Sequence, residues 1–314
     1  MDVRRVGDSM LDFRVATFLC VCQTMNFTRA AEALSLSQPA VTQHIHALEA
    51  YYGVRLFHYE KRTLSLTREG ELLRDRLSSM ERDENRIREE LRQGTAVHPL
   101  LSLGVTRTIG EYAALSPLLT YLRAHPDMNL HLHYGNTEEL LSLLDAGTIS
   151  LALIEGNVPK GKYGVKKYRT EDFCAVCSAA HTFAHGTPRQ VRDLLSERLL
   201  LREPGSGTRS ILEKSLSALG LAVSDFPSYL EVENMHILIR LLEQDMGISF
   251  LYRIAAREGL SSGVLREIPL SDFALQHDFS FVWDAGSIYA AREEALAGML
   301  ALPETETSIS PTAF

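Results

Sequence analysis

Residues 26–49, NFTRAAEALSLSQPAVTQHIHALE, constrain the fold more than any other stretch, because their caps and apolar spacing specify two short helices packed on one another. Thr28 stands ahead of Ala30, Ala31 and Leu34, so its hydroxyl is expected to cap a short helix whose alanines allow a close neighbour. After Leu36, Ser37 caps a second helix, with Pro39 in its first turn where no backbone N–H is needed. Val41, Ile45 and Leu48 recur at steps of four and three and form a stripe for the core. The opposite face carries Gln38, Thr42, Gln43 and His46. These side chains both donate and accept hydrogen bonds, as reading base edges in a major groove requires.

The flanking segments complete a small domain. Phe13 to Met25 forms a first helix, with Phe13, Ala16, Phe18, Leu19 and Val21 as its apolar surface, packed beneath the reading helix. Gly53 ends that helix in a left-handed conformation, and VRLFHYEKRTLSLT then has the pattern of a two-stranded wing. Leu56, Phe57, Leu64 and Leu66 anchor the wing, while Lys61 and Arg62 at its tip are candidates for phosphate or minor-groove contacts. From Thr67 one long helix runs to Gly94, with Thr67 as its cap and Gly94 as its stop. Leu66, Leu73, Leu77, Met80, Ile87 and Leu91, with Gly70 and Glu84 in the same register, form a coiled-coil seam that needs a second copy of the chain. Glu84 either sets the register of that seam or lies at an exposed end.

TRAAEALSLSQPAV, then IHALE and GVRLF, resemble the winged helix-turn-helix of the LysR-type transcriptional regulators. The resemblance implies that Ser37, Gln38, Pro39, Thr42, Gln43 and His46 lie in the major groove, with Thr28, Arg29, Lys61 and Arg62 on the DNA side near phosphates or the minor groove. It also implies a dimer, or a tetramer built from dimers, on an interrupted palindrome, with a small molecule between two lobes altering DNA bending. This chain departs from the family pattern in places. Gln43 and His46 stand where Arg or Lys is frequent, His44 where Gln is frequent, and Tyr59 where Arg is common. Base preference and phosphate anchoring should therefore differ.

The net charge of −8 is unevenly spread: residues 1–94 hold 14 basic and 14 acidic residues, leaving 18 and 26 for the remainder. A neutral reading domain excludes indiscriminate coating of nucleic acid and makes specificity depend on local contacts and paired copies. No apolar run is long enough to cross a membrane and the first ten residues lack a signal peptide's apolar stretch, so a cytoplasmic protein is expected.

After GTAVHP the pattern alternates. LLSLGV, MNLHLHYG and ISLALIEG are strands, with IGEYAALSPLLTYLRAHP and NTEELLSLLDAG as the helices between them. This βαβαβ order predicts a doubly wound parallel sheet with ligands beyond the carboxyl ends of its strands, where Thr106, Arg107, Thr108, Asn136, Thr137 and Glu155 fall. Thr108 and Asn136 are also expected to cap helices. From about Val165 a second unit of the same kind begins, and VLREIPLSD, DFSFVWDAG and a helix from Ile288 to Leu300 return to complete the first. The tail after Pro303 is expected to fray.

LREPGSGTR is the second stretch with chemical content. Gly205, Ser206 and Gly207 turn backbone N–H groups toward a ligand, and Thr208 opens a helix whose positive end attracts anions. Arg202 and Arg209 add positive charge or pair with Glu203 and Glu213. The loop resembles the effector-domain loop of some LysR-type regulators.

Other classes fit less well. Ser206 lacks the GxSxG elbow and partner residues of a nucleophile, no histidine spacing matches a metal motif, and neither an enzyme nor a cofactor is expected. Cys20 and Cys22 lie on different faces of a helix, and Cys174 and Cys177 on opposite sides of a strand, which favours core packing over a metal or redox site. A redox-sensing regulator of the same family is one alternative, and a solute-binding protein or enzyme on the periplasmic-binding-like fold another. The expected architecture is α/β: a winged helix-turn-helix over 11–67, a linker dimerisation helix over 68–94, and a two-lobed periplasmic-binding-protein-like effector domain over 99–303. Lobe I takes in about 99–164 and 269–303, and lobe II about 165–268. Its expected partners are double-stranded DNA, an anionic small molecule, and a second copy in a homodimer or homotetramer.

Overall fold

A computed structural model describes residues 10–60, 63–93, 100–159 and 161–301. The chain divides into two compact units, one comprising residues 1–96 with 284–290 and the other 97–283 with 291–314.

The first unit begins with helices α1 (Phe13–Thr24), α2 (Phe27–Leu34) and α3 (Gln38–Tyr52). A two-stranded wing, β1 (Phe57–Glu60) and β2 (Thr63–Leu66), precedes the long helix α4 (Arg68–Gln93). Each short helix is bounded as its local chemistry demands. Asp12 caps α1, and Met25 closes it in the left-handed region. Ser37 Oγ accepts from Ala40 N at 3.3 Å, and Gly53 closes α3 at φ 70°. The cap of α2 differs from the expectation. Asn26, not Thr28, begins it, its side-chain oxygen accepting from Thr28 N at 2.9 Å and Arg29 N at 3.0 Å. Thr28 is the second helical residue, and its own N–H is one of the donors that a cap must satisfy.

Phe18, Val21, Ala30, Ala31, Val41, Ile45, Leu48 and Leu56 form one buried cluster in this unit. Glu49 strengthens the joint between α3 and the wing, accepting from Leu56 N and from Arg55 Nη1, both at 2.9 Å.

The expected coiled-coil seam divides in two. Leu77 is buried in the same cluster and Leu66 and Leu73 pack against it, so the first part of the stripe belongs to the core of its own protomer. Gly70 does more than fill a heptad place: a Cβ there would stand 2.1 Å from Leu56 O, so α4 crosses the start of the wing at backbone contact. Thr67 secures the crossing, donating to Arg55 O at 2.7 Å and accepting from Gly70 N at 2.8 Å. Met80, Ile87 and Leu91 remain exposed. Glu84 accepts from Met10 N at 2.5 Å and pairs with Arg88 at 2.8 Å. Gly94, the expected stop, lies outside the described residues, as does the tail after Pro303.

Residues 284–290 run along α4. Arg82 and Ser79 donate to the Asp284 carboxylate, and Asp83 accepts from Ser287 Oγ at 2.6 Å and Ile288 N at 2.9 Å. Tyr289 donates to Glu90 at 2.9 Å, and the Arg86 guanidinium stacks 3.9 Å from its ring centre.

The second unit runs β3 (Leu100–Thr106), α5 (Arg107–Tyr112), α6 (Leu115–Ala124), β4 (Asn129–Gly135), α7 (Thr137–Asp145) and β5 (Leu151–Ile154). It continues through the 16-residue β6 (Tyr163–Ser178), β7 (Leu199–Leu201), α8 (Gly207–Ala218), β8 (Tyr229–Glu231), α9 (Met235–Glu243) and β9 (Ile248–Tyr252). It closes with α10 (Arg253–Ser262), β10 (Leu265–Glu267), β11 (Leu275–Asp284) and α11 (Ala290–Leu300). The last helix starts two residues later than the expected Ile288, because the chain before it turns through Ser287, whose carbonyl accepts from Ala290 N at 3.1 Å.

One sheet threads this unit in the order β4-β3-β5-β11-β6-β9-β7-β8, with β10 beside β6. Strand β3 is parallel to β4 and β5, and β7 is parallel to β8 and β9, which makes two parallel sets. The long strands β11 and β6 join them, β11 running antiparallel to β5 and β6 antiparallel to β9. A buried cluster including Leu140, Leu144, Ala152 and Val282 supports the first set, and another including Val176, Leu200, Leu238 and Leu251 the second.

The first crossover is two helices rather than one. Pro117 has no N–H to offer the carbonyl of Ala113, so a continuous helix would leave that oxygen unpaired. The chain instead breaks at Ala113–Ala114, and Tyr168 donates its hydroxyl to Ala113 O at 3.2 Å.

Candidate functional site

Two surfaces gather the candidate residues. On the first unit, Ser37, Gln38, Pro39, Gln43 and His46 are exposed on α3, with Thr42 half-buried among them, and Thr28 and Arg29 are exposed on α2. Gln38 Nε2 donates to Thr42 Oγ1 at 2.9 Å, and Thr42 Oγ1 donates to Gln38 O at 3.1 Å. The Gln38 amide is thus held over the helix with its oxygen free of that bond, an arrangement suited to a base edge. His44 lies differently: its ring packs edge-on against Phe13 and its Nδ1 is 2.9 Å from Thr17 Oγ1, so it ties α3 to α1. Lys61 and Arg62 lie outside the described residues.

The second surface is at the carboxyl ends of the parallel strands. Thr106 ends β3, Asn136 follows β4, Glu155 follows β5, Arg202 follows β7 and Tyr252 ends β9. The loop after β7 brings Gly205, Ser206, Gly207 and Thr208 against the loops after β4 and β5. Glu138 N donates to Gly205 O at 3.4 Å, and a Cβ on Gly207 would meet Glu155 Cγ at 2.8 Å and Glu155 O at 2.4 Å. Gly205, at φ +85°, adopts the left-handed turn that a side chain would oppose.

Charge and hydrogen bonding within the cluster are specific. Arg202 is 2% exposed and grips the Glu203 carboxylate through Nε at 2.9 Å and Nη2 at 3.1 Å, while its Nη1 reaches Thr108 Oγ1 at 3.3 Å. Arg107 adds a third donor to Glu203 at 2.8 Å and lies 3.5 Å from Glu139. Thr106 donates to the fully buried Glu155 carboxyl, and Thr137 donates to the Glu155 backbone carbonyl at 2.6 Å. Burial pushes the Glu155 carboxyl above the usual range despite these donors and the nearby Arg202. Asn136 is committed to capping α7 through a reciprocal pair with Glu139.

Other expected roles shift. Thr108 is buried in the second position of α5 and caps nothing; Thr106 is the N-cap residue and spends its hydroxyl on Glu155. Helix α8 opens at Gly207 with Ser206 as its N-cap, so Thr208 is already inside its first turn. Arg209 pairs with Glu213 at 2.8 Å and Glu231 at 2.6 Å and donates to Arg202 O at 3.1 Å, so its guanidinium braces the start of the loop.

Three hydroxyls here are buried without a hydrogen-bond partner: Ser206 Oγ, Thr208 Oγ1 and Tyr252 OH. No side chain caps α8. An isolated Ser206 Oγ has no general base and is unsuited to nucleophilic work. Sequence reasoning missed Tyr252, whose place in an apolar strand, ISFLY, looks like core, and Glu203, which reads only as a neighbour of Arg202.

The cysteines are poorly placed for redox sensing. All four are free thiols. Burial pushes Cys22 and Cys174 up to about 12 and Cys177 up to about 11, which leaves little thiolate near neutrality. Among the described residues no cluster of His, Cys, Asp and Glu could hold a metal ion, and no helix is long and apolar enough to cross a membrane. A separate groove of about 900 Å³, lined by residues including Leu115, Leu119, Arg123, Arg169 and Arg257, contains none of the expected ligand residues.

The family model described as LysR substrate binding domain matches residues 94–301, and that described as bacterial regulatory helix-turn-helix protein, lysR family, matches residues 14–71. The chain is 29% identical over 268 residues to the HTH-type transcriptional regulator CysL of Bacillus subtilis, covering 85% of this chain and 88% of that one. Its fold resembles full-length OxyR from Pseudomonas aeruginosa, with a TM-score of 0.54, 23% identity, and coverage of 91% of this chain and 98% of that chain. It also resembles the CcmR regulatory domain of Synechocystis PCC6803 in complex with 2-PG, with a TM-score of 0.57, 18% identity, and coverage of 66% of this chain and 99% of that chain. With both of its domains matched, the chain belongs to the LysR family and is a DNA-binding transcriptional regulator with an effector-binding domain.

Proposed function

We propose that this regulator reads DNA with the exposed face of α3, using Gln38, Thr42, Gln43 and His46 for base edges and Thr28 and Arg29 for the backbone. An anionic small molecule at the start of α8 then modulates that binding. The observation that carries the effector reading is the pair of buried, unpartnered hydroxyls of Ser206 and Thr208 at an uncapped helix N-terminus. A helix N-terminus offers backbone N–H groups and a positive dipole end, and the two unpartnered hydroxyls are available as further donors. Arg202 and Arg107 lie nearby, both engaged by the Glu203 carboxylate. Asn136 and Thr137 shape the opposite wall, their own polar groups being committed to the fold.

Self-association follows from the exposed half of the α4 stripe. Met80, Ile87 and Leu91 stand 7 and 4 residues apart, the spacing of a coiled-coil seam, and a second copy of α4 would cover them. A dimer also fits a neutral reading domain, since two copies double the number of specific contacts.

A thermal-shift screen of the purified protein against inorganic and organic anions tests the effector reading, because a ligand at a hundred times its Kd adds roughly 2.7 kcal/mol of stability. A rise in Tm that disappears in Ser206→Trp supports it. A rise that survives in Ser206→Trp moves the anion site elsewhere.

A further inference from the structure

The cluster at the start of α8 already holds its own countercharges. It contains two guanidiniums, Arg202 and Arg107, two buried carboxyls, Glu155 and Glu203, the exposed carboxyls of Glu139 and Glu233 at 3.5 and 3.9 Å from Arg107, and Glu138 beside Gly205. The two arginines direct three donors at Glu203, so its carboxylate occupies the cationic seat that an incoming anion would seek. Glu155 abuts Gly207, the first residue of α8, and its nearest donors are hydroxyls rather than cations. Tyr252 lies close enough to feel Glu155 together with Glu171 and Asp278, the last two being paired with Arg169 and Lys167.

An anion delivered to α8 would therefore add a further negative group to a site whose carboxyls already outnumber its two guanidiniums. Unscreened like charges in such a setting are not tolerated together, and the group with the weakest hold on its charge takes a proton. Glu203 is held by three N–H donors from the two arginines, whereas Glu155 is met by hydroxyls. Resting on the anion reading above, we propose that effector binding is coupled to the uptake of one proton, and that Glu155 carries it.

The sign follows from linkage. Burial already raises the Glu155 carboxyl, and a bound anion raises it further. Below the free-state pKa Glu155 is protonated before the ligand arrives, and affinity is independent of pH. Between the free and bound pKa values one proton enters with each anion, and affinity falls up to tenfold per pH unit as pH rises.

Sulfate is a suitable probe because it does not itself titrate between pH 5 and 8, so any proton taken up belongs to the protein. The experiment is calorimetric titration of the full chain with sulfate in buffers of differing ionisation enthalpy, across that range, for wild type and Glu155→Gln. The expected result is uptake approaching one proton per sulfate in part of the range for wild type. Glu155→Gln should bind sulfate with no uptake and no pH dependence. Sulfate binding by wild type without proton uptake at any pH overturns the coupling and leaves the anion site standing. Uptake that persists in Glu155→Gln overturns the assignment to Glu155. Failure of wild type to bind sulfate at tens of millimolar overturns the anion reading on which the coupling rests. Should Glu155→Gln fail to fold, the wild-type buffer series still decides whether a proton enters, and folded Glu155→Asp, with its carboxyl drawn back from α8, should show uptake over a shifted pH window; an unshifted window would overturn the assignment.

Discussion

Thr208→Val separates what the fold wants from what the site wants. Thr208 Oγ1 is buried at 2% residue exposure without a partner, and such a hydroxyl costs about 1–3 kcal/mol relative to an apolar group of the same shape. Valine has nearly the same shape and helix propensity, so the variant should be more stable than wild type by about 1 kcal/mol in the absence of ligand. With a urea m-value of about 2–3 kcal/mol/M, that is an upward shift of roughly 0.3–0.5 M in the midpoint of the effector domain. The same change removes one donor to the bound anion, a charge-assisted bond of about 1.5–3 kcal/mol, and should weaken sulfate binding about tenfold or more. Urea unfolding followed by circular dichroism, with and without sulfate, measures both effects, and Thr208→Ser should behave as wild type in both. A less stable Thr208→Val, or one with undiminished sulfate affinity, would refute the claim that this hydroxyl is held in reserve for a ligand.

Gln38→Ala should reduce discrimination between operator and random DNA by about 1–3 kcal/mol with the fold unchanged, as read by competition binding on a selected site. Ile87→Glu places a charge in the exposed stripe of α4 and should convert a dimer to a monomer in sedimentation velocity with little change in Tm. Burial alone would raise the Asp284 carboxyl, but bonds from Arg82, Gly286 N–H and Ser79 outweigh it and hold it below the usual carboxylate range. Its contribution, about 2 kcal/mol by the usual worth of such charged bonds, should be full above about pH 4 and disappear as pH falls through the depressed value. The stability difference between wild type and Asp284→Asn in an acid titration should shrink accordingly.

The caps that could be read directly, Ser37, Gly53, Asn136 and Thr67, are residues whose short-range chemistry admits one role at their position. Thr28 misled because Asn26, two residues earlier, is an equally good cap and reaches two N–H groups at once. The stripe on α4 is a true apolar period, yet period alone does not say whose core it fills. Leu73 and Leu77 pack at home because Gly70 lets α4 approach Leu56 at backbone contact, which the period of α4 alone does not encode. Residues Thr106 to Thr208 at the strand ends were legible from βαβ topology and helix N-termini. Glu203 and Tyr252 were not, since one takes its meaning from Arg107 across the cluster and the other ends an apolar strand. The clasp of Asp284, Ser287 and Tyr289 on α4 joins residues some two hundred positions apart and leaves no local pattern.

The most direct test of the account is amide hydrogen exchange of the full chain with and without sulfate. Protection should rise at 203–210, at 106–108 and at 136–139, the segments that meet at the start of α8. Protection that rises instead around 115–123, beside the Leu115 and Arg123 groove, with no change at 203–210, would contradict it.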